Sequence, residues 1–199
     1  MEQTANTIPT APWLEKLFTN KCLSWIWLII RVYVGYEWII AGWGKIMNEA
    51  WVGANAGGAL QGFLTGTLAK TTGAHPDVAG WYAYFVSHVV MPNTFFFSHV
   101  VAFGEVLVGA ALILGLFTGI AAFFGGFMSF NFMLAGTVSI NPVLFLLQVF
   151  LMLAWRTAGY LGLDKWALPF FGTPWQHGTW HIGAPCEQKC EDGTCCTNK

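Results

Sequence analysis

The chain has 199 residues, of which 55% are hydrophobic, 17% aromatic and only 10% charged, against roughly 25% charged residues in ordinary soluble domains. Nine Lys and Arg against ten Asp and Glu leave a formal net charge of −1, so there is no basic field to attract nucleic acid and no acidic solvating tail. A water-soluble globule and a nucleic-acid partner are thereby excluded, and at about 20 apolar residues per crossing helix the length suits four membrane spans.

Residues 1–21 form a polar N-terminal segment with Pro9, Pro12, Glu15 and Lys16. They lack the basic start and short apolar run of a signal peptide, so the first hydrophobic segment is expected to be retained. That segment, about residues 22–47, is the first predicted span and carries Arg31, Glu37 and Lys45. Residues 48–94 are punctuated by Gly53, Gly57, Gly58, Gly62, Gly66 and Gly73. They read as short accessory helices lying on or dipping into the membrane, the second opening at Pro76-Asp77 and stopping before Pro92.

A second span is predicted at about 95–116, interrupted only by Glu105. From Val106 to Trp155 there is no Asp, Glu, Lys or Arg, a stretch long enough for two crossings. A break near Ser139, Asn141 and Pro142 divides it into spans at about 119–137 and 142–161. The short turn at 115–119 forces an antiparallel hairpin. Beyond Leu161 come Asp164, Pro169 and Pro174, with Trp166, Trp175 and Trp180 suited to a membrane interface. The predicted organisation is an all-α integral membrane four-helix bundle over 22–164, with accessory helices in its first loop and an interfacial, cysteine-rich tail over 165–199. Lys16 and Lys21 before the first span and Arg156 and Lys165 after the fourth outweigh Lys45 and Lys70 in the first loop, which predicts cytoplasmic termini.

Charge at mid-bilayer costs about 2.5–3.5 kcal/mol on insertion scales and marks candidate sites. Arg31, Gly35, Trp38, Gly42 and Lys45 follow at steps of four, three, four and three, which places them on one helical stripe. Arg31 and Lys45 are about 21 Å apart along the axis, so they serve different groups. Glu37 faces away from the stripe. On the second span the small residues Gly104, Gly109 and Gly115 flank Glu105 and mark a close helix contact. The simplest account is a buried Arg31–Glu105 pair, either fixing register alone or lining a polar cavity beside Trp38, Lys45 and Asn131. Asn131 also reads as inter-helix glue.

The R-x3-G-x2-W-x3-G-x2-K pattern from Arg31 to Lys45, the segment HPDVAGWY at 75–82, GEVLVGAALILGLFT at 104–118 and the Asn-Pro at 141–142 together resemble the DoxX/DoxD family of small four-helix membrane proteins. The resemblance spans roughly residues 22–164. For the DoxD branch it implies the membrane subunit of a thiosulfate:quinone oxidoreductase, with quinone as ligand. DoxX relatives are associated with membrane redox complexes in thiol and superoxide defence. Arg31, Gly35, Trp38, Gly42, Lys45, Gly104, Glu105, Gly109 and Gly115 match the family pattern.

Cys186, Cys190, Cys195 and Cys196 lie outside that resemblance. Their C-x3-C-x4-C-C spacing is not the paired C-x2-C of common zinc sites, and it leaves a tail metal site, disulfides or reduced thiols open. Thiol redox chemistry is the sharper alternative. Cys22, at the start of the first span, reads as a small apolar residue. His88 and His99 flank Pro92, His75 lies in a loop and His177 and His181 lie near the tail cysteines; no C-x-x-C-H motif is present and haem is not expected.

Three functions compete on these grounds. The first is a redox membrane subunit that passes electrons from a sulfur compound to quinone, with Glu105 and Arg31 catalytic and Trp38, Lys45, Glu37 and Asn131 around the ligand. The second is a noncatalytic anchor for a soluble or membrane redox partner. The third is a small-solute transporter, which four helices would form only as a homo-oligomer.

Overall fold

A computed structural model describes residues 17–18 and 20–170 of the chain. The described residues are helical, with no strand among them. Inside a bilayer this follows from the backbone: each N–H and C=O needs a partner within its own segment, and a helix supplies one.

The first long helix, α1, runs Ser24–Ile46, about 34 Å at 1.5 Å per residue and enough to cross the hydrocarbon core. After a turn-rich stretch, α2 occupies Gly58–Ala69. Then α3, Gly80–Phe85, passes through a π-helical turn at Val86–Val90 and a 3-10 turn at Met91–Asn93 into α4, Thr94–Leu114. The run from Gly80 to Leu114 is one 35-residue apolar helix. This corrects the expectation that the segment before Pro92 is a separate short helix. The Met91 N–H reaches back five residues to the Val86 carbonyl, and this widened turn absorbs a proline that would otherwise end the helix.

Two shorter apolar helices follow, α5 at Thr118–Leu134 and α6 at Asn141–Leu153, with the one-turn α7 at Trp155–Ala158 and α8 at Asp164–Phe170. Pro142 sits in the first turn of α6, where its missing donor costs nothing. α1 packs on α4, α4 on α5, α5 on α6 and α6 back on α1, which closes the ring of four. Two helices, Lys21–Ile46 with its leading 3-10 turn and Gly80–Leu114, are long and apolar enough to cross a membrane.

The distribution of side chains is inverted relative to a soluble protein. Trp25, Ile29, Tyr36 and Trp43 on α1, Phe123 and Phe127 on α5 and Leu146 and Leu153 on α6 are exposed, whereas Arg31, Glu105, Ser129, Gln148 and Asp164 are buried. Water would penalise that arrangement; lipid favours it. The expected all-α membrane fold is the one observed.

Glycine sets the tightest contact. A Cβ on Gly35 would lie 2.8 Å from the Gly109 carbonyl oxygen, and one on Gly109 would lie 2.7 Å from the Gly35 carbonyl oxygen. The α1 and α4 backbones therefore touch, as the small-residue spacing predicts. A second buried cluster, Leu60, Leu64, Val78, Tyr82, Val86, Val90 and Ala135, packs α2 and α3 against the C-terminal end of α5.

Candidate functional site

The α1–α4 crossing fixes the register of the charged groups. With Gly35 opposite Gly109, the antiparallel helices bring Gly42 against Glu105 and Val106; a Cβ on Gly42 would lie 2.9 Å from the Glu105 Cβ. One turn further along α1, Lys45 Nζ donates to Glu105 Oε2 at 2.6 Å. The Lys45 side chain is 19% exposed and Glu105 only 1%. Lys45 Nζ also stands 5.3 Å from the Trp51 ring centroid and 5.9 Å from that of Phe132, both within cation–π range. The Ser98 hydroxyl donates to the Trp51 carbonyl, which pins this cover in place.

This geometry corrects the expected Arg31–Glu105 pair. Arg31 lies at the other end of α1, 1% exposed. There Nη1 donates to the Ala158 carbonyl at 2.8 Å and Nη2 to the Leu161 carbonyl at 3.0 Å. Beside it, Asp164 accepts from the backbone N–H groups of Phe117 and of Thr118, the latter at 2.9 Å, and so caps α5 from a distant part of the chain. The Leu163 and Asp164 N–H groups donate to the carbonyls of Leu114 and Gly115. Burial pushes the Asp164 carboxyl above its ordinary value, while hydrogen bonds from Thr118 and Phe117 and the charge of Arg31 pull against that rise. Gly115 is required here twice over: its φ is +67°, and a Cβ would lie 2.1 Å from Arg31 Nη1. Arg31 thus clasps the end of the bundle and does not reach the Glu105 site.

Trp38 is 2% exposed, in the buried cluster with Val108, Ala122 and Leu151. Its Nε1 has no hydrogen-bond partner among the described residues, nor does Glu105 Oε1. Glu37 is half-buried and has no ion-pair partner among the described residues. Asn131 serves helix contacts: its Nδ2 donates to the Phe127 carbonyl at 2.8 Å, and its own carbonyl accepts from the Tyr82 hydroxyl at 3.1 Å. His88 Nδ1 lies 2.9 Å from the Tyr84 carbonyl and His99 Nδ1 2.8 Å from that of Phe95, each within its own helix. Among the described residues no group of three His, Cys, Asp or Glu is placed to hold a metal.

Two polar residues of the interior, Gln148 and Ser129, escaped the sequence reading. Gln148 is fully buried, with its Oε1 accepting from the Ser129 hydroxyl at 3.2 Å and its Nε2 unpaired. The signal was available, because glutamine and serine stand out in a stretch of charge-free helix. Cys22, which its position suggested as a small apolar residue, is exposed. Cys186, Cys190, Cys195 and Cys196 lie outside the described residues.

The arrangement is an ion pair inside an apolar bundle, with the Trp51 and Phe132 rings beside its lysine. Comparison with known proteins places it in a family. The DoxX family model matches residues 26–138, more than half of the chain, covering α4, α5 and all but the first two residues of α1. The chain belongs to the DoxX family. No curated protein and no solved structure matches it. The matched segment contains Lys45, Glu105 and Trp38 but ends before Gln148 and Asp164, so the residues that complete both polar clusters come from beyond it.

Proposed function

We propose that this DoxX protein is the membrane subunit of a redox complex and that quinone exchanges protons at the Lys45–Glu105 pair. A sulfur compound such as thiosulfate is the electron source that the DoxD resemblance implies. Two thiosulfates joining through a new S–S bond to give tetrathionate release two electrons. Quinone takes up those electrons with two protons to give quinol. Glu105 supplies or relays a proton to the quinone oxygen, and Lys45 neutralises the carboxylate left behind. Trp38 and Gln148 border the site, while Arg31 holds the bundle closed at its far end.

The observation that carries this reading is the Lys45–Glu105 contact: an ionisable pair within the spans is a functional candidate by default, and here one carboxylate oxygen is held by Lys45 while the other is unpaired. The proposed location is the inner membrane, in several passes, with a soluble or membrane partner holding the electron donor. Both termini are proposed to be cytoplasmic on the Lys and Arg distribution.

The test is purified full-length protein in nanodiscs, titrated with ubiquinone and menaquinone and then supplied with thiosulfate and the co-purifying partner. Quinone binding and thiosulfate-dependent quinol formation support the reading. Absence of both overturns it and leaves the noncatalytic anchor.

A further inference from the structure

Three side-chain atoms inside the four-helix ring are buried and unpartnered: Trp38 Nε1 on α1, Glu105 Oε1 on α4 and Gln148 Nε2 on α6. Their residues are 2%, 1% and 0% exposed. Unpaired polar atoms so deep are costly, and in native proteins they are met by protein groups or by internal water.

The packing brings them to one region. Trp38 and Val108 share a buried cluster, and Val108 is one turn from Glu105 on the same side of α4. The Glu105 Cβ packs against Gly42, one turn from Trp38 on α1. From the opposite wall, Gln148 Nε2 and Val108 Cγ1 lie 2.2 and 3.0 Å from the place a Cβ on Gly125 would occupy. Glycine at 125 therefore leaves the space into which the amide nitrogen points. The Ser129 hydroxyl donates to Gln148 Oε1, which leaves Nε2 as the free donor of that amide.

Two donors and one carboxylate oxygen are the complement of a water molecule, which accepts two hydrogen bonds and donates one or two. We infer that Trp38, Gln148 and Glu105 enclose a bound water that accepts from Trp38 Nε1 and from Gln148 Nε2 and donates to Glu105 Oε1. Such a site meets the polar-partner requirement for internal water. It couples the inner face of Glu105 to the α5–α6 wall, while Lys45 holds the outer oxygen. Its use as a proton relay rests on the quinone reading of the same carboxylate; the water site itself does not.

The test is a structure of the full-length protein in nanodiscs at a resolution that shows ordered water. The expected result is one compact peak within hydrogen-bonding distance of all three atoms, about 2.7–3.2 Å. The same measurement on Gln148→Leu should show the peak gone, with the Lys45–Glu105 contact unchanged. Should that variant fail to fold, Ser129→Ala keeps the amide and releases its orientation, and the peak should weaken or shift. Trp38 donating directly to Glu105 would overturn the inference, as would elongated density for an organic ligand or a peak that persists unchanged in the variants. Quinone titration of the same wild-type sample separates the two proposals: a water peak without quinone binding leaves the site and removes its use, and quinone binding without a water peak does the reverse.

Discussion

Lys45 Nζ lies 2.6 Å from Glu105 Oε2, joining the last turn of the first long helix to the middle of the second. The contact follows from the glycine crossing of Gly35 on Gly109, which fixes how far the two helices slide. Glu105 is thereby given to the cation at one end of α1, and Arg31 at the other end is left to the carbonyls of Ala158 and Leu161.

This division predicts how substitutions combine. Lys45→Met and Glu105→Gln should be strongly non-additive in thermal stability, because each removes the reason for the other. Arg31→Lys and Glu105→Gln should add to within about 0.5 kcal/mol, as distant sites do. Thermal unfolding of the single and double variants in one detergent checks both, and strong coupling between Arg31 and Glu105 would contradict the register.

Arg31→Lys should cost about 1.5–3 kcal/mol, since a single ammonium replaces a fork that holds two carbonyls. Asp164→Ala should cost about 1–2 kcal/mol by uncapping α5. Accumulation in membranes and the denaturation midpoint measure both.

Gly109→Leu should destabilise the bundle by about 3 kcal/mol or more, as overpacking against backbone rather than against a flexible side chain. Gly62→Leu, where a Cβ meets nothing within 4 Å and a helix-interior glycine is lost, should not lower the midpoint. Comparing the two variants separates a contact from a composition effect.

Cys22 provides the topological test. Cys22 is exposed just before α1, so a maleimide applied after reduction reports which side of the membrane it faces. Labelling by an impermeant maleimide after reduction, from outside intact spheroplasts, would place the start of α1 on the oxidising side. Labelling only after lysis would establish the cytoplasmic orientation proposed from the Lys and Arg distribution.

The helical membrane fold was legible because it depends on apolar length and on the absence of charge, both of which the sequence displays directly. The glycine contacts were legible for a similar reason: small residues at helical spacing have few other uses in lipid. The partner of Glu105 was not, because choosing between Arg31 and Lys45 requires the antiparallel register of two helices 60 residues apart. Matching Gly35 to Gly109 would have supplied it, placing Arg31 beside Gly115. Pro92 misled because a proline ends most helices, whereas here a π-helical turn precedes it. Gln148 and Asp164 do not stand out as charges within predicted spans: one is neutral and the other follows the last span.

Under the proposed function Glu105, paired with Lys45, handles quinone rather than merely locking two helices. The most direct measurement is quinone affinity of wild type and Glu105→Gln in nanodiscs, each shown to be folded by its unfolding midpoint. The folded variant should bind quinone about tenfold more weakly, the loss of roughly one charged hydrogen bond. A folded Glu105→Gln protein with wild-type quinone affinity and wild-type quinol formation would contradict it.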